Sequence, residues 1–271
     1  MAVFNTEEYV AEAIESILSQ TFQDFELIIV NDGSIYSTTD ILKRYDDPRI
    51  KLIHQSNQGC VKARERGIRI AKGEYLAIMD ADDIALPKRL EKTAKYLDTN
   101  PNVVLVGTGY IIRNEPTKTE EIVIPPSDDF LLRRCLLRSD PFKDPTLLIR
   151  KSAFLRAGGY KVDHGFDYEL YSRIAKFGEL ANIEDVLLIT RQHPLQFFRV
   201  GHTPEQHRKR RLKIRWLTLW RLKPPYPLFI RTLLWLNFEF FVNLLPEDVR
   251  HKLPGNVRTL LKSRLPPNVV T

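Results

Sequence analysis

Apolar and polar positions alternate with two different periods along the first two thirds of the chain. Over residues 7–20, Val10, Ala13, Ile14, Ile17 and Leu18 recur three and four apart, which is one face of a helix. Residues 25–30 are a nearly unbroken apolar run instead, read as a buried strand, and Asn31-Asp32-Gly33-Ser34 follows as a turn. The alternation then repeats. Helical patterns cover residues 37–45, 61–71 and 87–97, the last with Pro87 in its first turn, and short strands cover 50–54 and 74–79. Strand and helix in strict alternation predict a parallel sheet covered by helices. Further along, 103–106, 121–124 and 186–190 read as extended, and 130–137, 151–156 and 167–177 as helical.

The start and the end of the chain depart from this pattern. Met1-Ala2-Val3-Phe4-Asn5 looks like the tail of a strand, so the natural chain is expected to extend upstream by several apolar residues, with Met1 internal. From about Pro194 the composition shifts. Residues 195–271 carry 15 Lys+Arg against 4 Asp+Glu, whereas residues 1–194 carry 26 against 30. Such asymmetry suggests a body with a basic tail that seeks an anionic surface. The tail opens on His207-Arg208-Lys209-Arg210-Arg211-Leu212-Lys213 and continues into an aromatic-rich stretch at 216–241. Residues 227–245 are apolar but interrupted, and on a helical wheel Arg231, Thr232, Glu239 and Asn243 share one side. A membrane-spanning helix wants about 20 predominantly apolar residues. An interfacial amphipathic helix fits better. Chain division is therefore expected at 1–194 and 195–271. The whole has 271 residues, 43% hydrophobic and 28% charged, ordinary for a globular protein. Its two cysteines, Cys60 and Cys135, have no metal-ligand spacing and exclude a disulfide framework.

Candidate chemistry concentrates in Asp80-Ala81-Asp82-Asp83, at the end of the strand over 74–79. There a parallel sheet opens into its ligand crevice. Two carboxylates about 4 Å apart repel by roughly 4 kcal/mol at an effective dielectric near 20. Serving a helix start gains each acid only about 0.3–1 kcal/mol. A divalent cation, Mn²⁺ or Mg²⁺, would remove the repulsion and bridge to phosphates. The bland reading is a solvated acidic turn capping the next helix. Asp32 likewise reads either as a carboxylate at the mouth of the sheet or as an Asx-type turn residue beside Gly33.

Four segments fall in order: Val3-Phe4-Asn5, Val30-Asn31-Asp32-Gly33-Ser34, Asp80-Ala81-Asp82-Asp83, and Gly158-Gly159-Tyr160 before Phe166-Asp167-Tyr168-Glu169-Leu170. As a set they resemble the family 2 glycosyltransferases, over roughly residues 1–194. The resemblance implies an α/β fold of GT-A type, a mainly parallel, Rossmann-like sheet flanked by helices, here with a basic helical C-terminal appendage. It implies a metal-dependent inverting transferase that moves a sugar from a nucleotide diphosphate, uridine-linked, to a hydroxyl of a glycan or lipid-linked acceptor. By that resemblance Asp167 is the candidate base, and Phe4, Asp32, Arg64, Asp80 and His193 would contact the nucleotide-sugar. Asp82 and Asp83 would hold Mn²⁺ or Mg²⁺. Arg66 reads as a solvated helix residue and Glu169 as structural. The chain departs from the family at Ile35-Tyr36, at Glu65, and at Phe166 where a Glu is usual. Two other classes stay open: a glycosyltransferase-like module that binds without turnover, and a nucleic-acid binder acting through the tail. The aromatics are not interleaved with the basic run, which favours membrane contact. A cytoplasmic protein, peripheral on the inner membrane face and active in cell-envelope polysaccharide synthesis, is the corresponding expectation.

Overall fold

The structure, a computed structural model, describes residues 1–161, 166–194 and 204–245. The remaining tail, including 246–271, and any upstream strand residues lie outside the described residues.

Three strands, β1 (Ala2–Val3), β2 (Leu27–Asp32) and β3 (Ile50–Gln55), lie parallel in the order β1-β2-β3. Their connections are α1 (Val10–Leu18), α2 (Tyr36–Leu42) and α3 (Cys60–Ile70), the last leading onward to β4 (Tyr75–Ala77). The helical spacing read in the sequence is the buried face of α1: Val10, Ala13, Ile14 and Ile17 are all nearly inaccessible. Each such aliphatic side chain contributes roughly 1.5–3 kcal/mol on burial. The face packs on Val3, Leu27, Ile29 and Met79. On the other side of the sheet α3 brings Ala63 against Ile28 and Val30.

A parallel bridge between Ala2 and Asp80 joins this unit to a second sheet in the order β4-β8-β6-β9-β5. Its strands are β5 (Ile84–Ala85), β6 (Val103–Asn114), β8 (Leu148–Arg150) and β9 (Glu179–Gln192), with β7 (Thr119–Val123) folded back on β6. Here the sheet is mixed. β6 and β9 are parallel, whereas β4–β8, β6–β8, β5–β9 and β6–β7 are antiparallel. The four residues between β6 and β7 can only reverse the chain, since a parallel return needs a longer crossover. Helices α4 (Arg89–Thr99), α5 (Asp129–Leu136), α6 (Lys151–Arg156) and α7 (Phe166–Ile174) cover the second sheet.

The last two helices, α8 (Pro204–Leu222) and α9 (Tyr226–Leu244), fold onto the body. Ile214 of α8 enters the same core as Leu132, Leu136 and Ile174. Arg221 donates to Glu169 at 2.6 Å and to Ser172 at 2.7 Å, both on α7. The division at 194 therefore does not separate two cores. The wheel drawn for α9 is reversed in part: Arg231 is exposed, Thr232 and Glu239 are buried, and Leu234, Phe238 and Phe241 are exposed, while the side chain of Asn243 lies outside the described residues. The reason lies on another helix. Buried Arg215 of α8 forms an ion pair with Glu239, and a buried guanidinium must find a carboxylate. The outward residues are spaced four and three apart, so they form one apolar stripe.

Candidate active site

Chain order and strand register bring the predicted acids to one end of the joined sheets. Asp32 ends β2, Asp80 follows β4, and β1 runs between them, bridged to both. Two strand spacings, about 10 Å, therefore separate the Asp32 and Asp80 backbones. Phe4 stands one step beyond the Val3–Asn31 pair, level with Asp32, and is 47% exposed. Gly33 makes the turn at φ +78°, and a Cβ there would come within 2.7 Å of the Asn57 nitrogen. That closeness brings residues 55–59 onto Asp32. The Asp32 carboxylate accepts from Gln55 Nε2 at 2.7 Å and from the backbone N–H groups of Gln58 and Gly59 at 2.9 and 2.8 Å. The Asx-type turn is made by its neighbour instead, where Asn31 Oδ1 accepts from the Ser34 N–H at 2.9 Å.

Asp80, Asp82 and Asp83 each offer an oxygen within 4.8 Å of the others. Their partners differ. Asp80 pairs with Arg64 at 2.6 Å. Asp82 Oδ2 meets His193 Nε2 at 3.0 Å. Buried Asp83 accepts the Arg191 N–H at 3.0 Å. Burial would raise the Asp80 pKa, but Arg64 and Lys143 outweigh it and the carboxyl is held low. Burial raises Asp82, Asp80 adds to it, and His193 offsets part of the rise. Burial, with the charges of Asp80 and Asp82, pushes Asp83 up to about 7. Positive charge placed among these carboxyls would offset both burial and their mutual repulsion. The donor set is all oxygen, with Asp83 buried and Asp80 and Asp82 half-buried, which suits Mn²⁺ or Mg²⁺, so these residues fit a divalent ion.

Arg64 lies at the centre of the remaining acids. Its guanidinium pairs with Asp80 at 2.6 Å, Asp144 at 2.7 Å and Asp167 at 3.2 Å. With both terminal nitrogens paired to carboxylates, Arg64 is a hub among acids. Asp167 stands in the first turn of α7, and Asp144 opens the 3₁₀ turn Asp144–Thr146 just before β8. Burial raises both carboxyls, and Asp144 well above the usual range. Arg64 pulls against that rise at both carboxyls. Sequence reading missed Asp144. Its only local signal is Asp-Pro before an apolar strand, and its partners are 80 and 23 positions away along the chain.

His193 is nearly buried, with its ring 4.5 Å from that of Tyr9. Arg191 fixes the approach to it. It pairs with Glu12 and, at 3.4 Å, with Glu115, and donates to the Asp82 carbonyl at 3.2 Å. Glu169 is structural as expected, being 1% exposed and paired to Arg173 at 2.8 Å and to Arg221. Arg66 reaches only Gln55, at 3.1 Å and exposed.

Proteins of similar sequence and fold are known. Residues 1–158 match the model of "Glycosyl transferase family 2". An uncharacterized glycosyltransferase of Haemophilus influenzae is 29% identical over 227 residues, covering 79% of this chain and 70% of that protein. The O-antigen biosynthesis glycosyltransferase WbnJ of Escherichia coli is 35% identical over 181 residues, 64% and 69% of the two chains. Among solved structures, S. aureus TarS 1–349 in complex with UDP-GlcNAc superposes with a TM-score of 0.71 at 16% identity, covering 95% of this chain and 76% of that one. The mannosyltransferase PcManGT of Pyrobaculum calidifontis, in complex with GDP-Man and Mn²⁺, superposes with a TM-score of 0.61 at 19% identity, covering 96% and 76%. The fold is of the GT-A type.

Proposed function

Because the chain belongs to glycosyltransferase family 2, we propose that it moves a sugar from a uridine-linked nucleotide diphosphate to a hydroxyl of a glycan or lipid-linked acceptor, with inversion. One observation carries the reading: the Asp80–Asp82–Asp83 cluster and Asp167 are gathered about Arg64 at the strand ends. Asp167 takes the proton of the acceptor hydroxyl as that oxygen attacks the anomeric carbon opposite the leaving diphosphate. Arg64 holds Asp167 in place and favours its ionised form against the effect of burial. Asp32 spends three hydrogen bonds on loop 55–59 and keeps lone-pair capacity for a base N–H or a ribose hydroxyl, with Phe4 beside it for the ring. Asp82 and Asp83, with Asp80 next to them, would hold Mn²⁺ or Mg²⁺, which when bound stabilises charge on the departing diphosphate. His193 steers Asp82 and lies where it can donate to a phosphate. The relatives' names support the donor class and the polysaccharide setting: TarS binds UDP-GlcNAc and WbnJ serves O-antigen biosynthesis.

The acceptor side of the reading rests on the tail. The stripe of Leu234, Phe238 and Phe241 faces outward on α9, whose one cation is Arg231, after the basic run at 207–213, and no helix among the described residues is long and apolar enough to cross a membrane. An anionic leaflet on the cytoplasmic side matches both the apolar stripe and the charge. The decisive experiment is a donor screen with Mn²⁺ that follows release of free nucleotide diphosphate, run beside Asp167→Asn. Consumption of a uridine-linked donor that is lost in the variant supports the assignment. Transfer by the variant at the parent rate breaks it.

A further inference from the structure

We propose that Arg89 is the resident counter-charge of the Asp80–Asp82–Asp83 cluster, steadying its carboxylates from the core side and moderating how tightly they take a divalent cation. The inference rests on the reading of that cluster as a cation site.

Arg89 is 1% exposed, stands at the first position of α4, and has no part in the chemistry described above. Its local surroundings all disfavour a charge. Burying a guanidinium without a partner anion is costly. A cation at a helix N-terminus also opposes the helix dipole, which favours anions there. The contacts made by the side chain do not account for the charge. Nη2 donates to Ile78 O at 2.6 Å and reaches Leu147 O only at 3.5 Å, Nη1 stands 3.8 Å from Met79 Sδ, and Nε is buried without a partner. None of these is a carboxylate, and a neutral N–H donor would serve Ile78 O as well.

The acids supply the missing reason. Ile78 and Met79, which the guanidinium touches, lead directly into Asp80. Burial pulls the Arg89 pKa down to about 10, and Asp83 and then Asp80 work against that fall. Attraction between charges is mutual, so Arg89 steadies the same two carboxylates. Other cations nearby are less dedicated. Arg64 divides its charge among Asp80, Asp144 and Asp167, and Lys143 acts on Asp80 and Asp83 from a half-buried turn. Arg89 is fixed in place. The Leu90 N–H donates to Gln20 Oε1 at 3.0 Å, and Thr93 Oγ1 donates to Arg89 O at 2.7 Å. A cation anchored this way stays when a metal ion arrives. The ion then enters against a repulsive charge, and the negative charge of a nucleotide diphosphate offsets that repulsion. Cation and diphosphate should therefore bind cooperatively.

The test uses the full chain and its Arg89→Met, Arg89→Gln and Arg89→Lys variants. Mn²⁺ affinity by calorimetry and the Mn²⁺-induced rise in melting temperature are read with and without UDP, at about pH 8.5, where protons compete least. The two neutral variants should bind Mn²⁺ alone at least about tenfold more tightly than the parent, and UDP should add less to their affinity. Mn²⁺ should raise their melting temperatures by more than it raises the parent's. Arg89→Lys keeps the charge and should behave as the parent does. A merely structural Arg89 gives the opposite sign, because removing it loosens the end of β4 and weakens the site. Mn²⁺ affinity in both neutral variants equal to or below that of the parent overturns the proposal, as do neutral variants that are unfolded and not rescued by Mn²⁺. Failure of the cation-site reading looks different: no chain, the parent included, binds Mn²⁺ with or without UDP, and the proposal falls with it.

Discussion

Buried charge is arranged in opposite ways at the two ends of this molecule. At the strand ends, Arg64 pairs with three carboxylates, Asp80, Asp144 and Asp167, with Lys143 also acting on Asp80 and with Asp82 and Asp83 alongside. Where the C-terminal helices meet the body, cations are in excess. Arg173 and Arg221 share Glu169, and Arg215 pairs with Glu239 beside Arg138, which burial and Arg215 together push down to about 10. There the guanidinium groups tie helices together through the carboxylates they share. A surplus of neighbouring carboxylates is relieved by a proton or a metal ion. The second arrangement is the one expected where a charged substrate is handled.

That contrast can be broken or sharpened by experiment. Asp167→Asn is expected to lower kcat by about 10²–10⁴, the usual range for a general base, with nucleotide-diphosphate affinity unchanged by calorimetry. Glu169→Gln removes the shared carboxylate of the helical region and is expected to cost about 3–5 kcal/mol in urea unfolding, with donor affinity unchanged. If instead the donor affinity falls and the stability holds, the two regions are not separate in role.

Acidity should act on the first region. Asp83 titrates near 7 in the fold against 3.8 unfolded, so the native state keeps a proton that the unfolded chain has released. Unfolding free energy of the metal-free protein should therefore fall as pH rises from about 4 to about 7, by up to ~4 kcal/mol at 1.36 kcal/mol per unit. Asp82, Asp144 and Asp167 shift in the same direction, and Asp80 opposes them. Excess Mn²⁺ should flatten the slope by taking the proton's place, and a slope indifferent to Mn²⁺ would show that the acids do not bind it. Asp82→Asn should weaken Mn²⁺-dependent nucleotide binding on the order of tenfold or more. The smallest effect is expected at Arg231→Gln. It should reduce flotation of the full chain with anionic vesicles about fivefold, the weight of roughly 1 kcal/mol per cation near a charged leaflet, and leave the melting temperature alone.

Much of this was legible in the sequence where the signal is local. The apolar runs at 25–30 and 74–79 ended where the acids begin, and the helix at 151–156 was read to the residue. Strand β9 was read only over 186–190, because Glu184 and Asp185 interrupt its apolar run near a register shift against β6. The role of Arg64 was invisible for a different reason: its partners Asp144 and Asp167 are 80 and 103 positions away, and no periodicity records such a pairing. The α9 wheel grouped Thr232 with Glu239 correctly but placed them on the wet side, since the buried Arg215 that claims Glu239 belongs to another helix.

The Glu169 anchorage has a practical corollary for anyone trimming this polypeptide. Cutting after residue 194, where the composition changes, would look like discarding an accessory. It would leave Glu169 with one guanidinium instead of two, two positions from Asp167 on the same helix, and would uncover the wall that Ile214 lines. A shortened version that proves inactive would then be reporting a loosened scaffold, not the loss of a docking device, and the two are separated by whether urea resistance falls along with turnover.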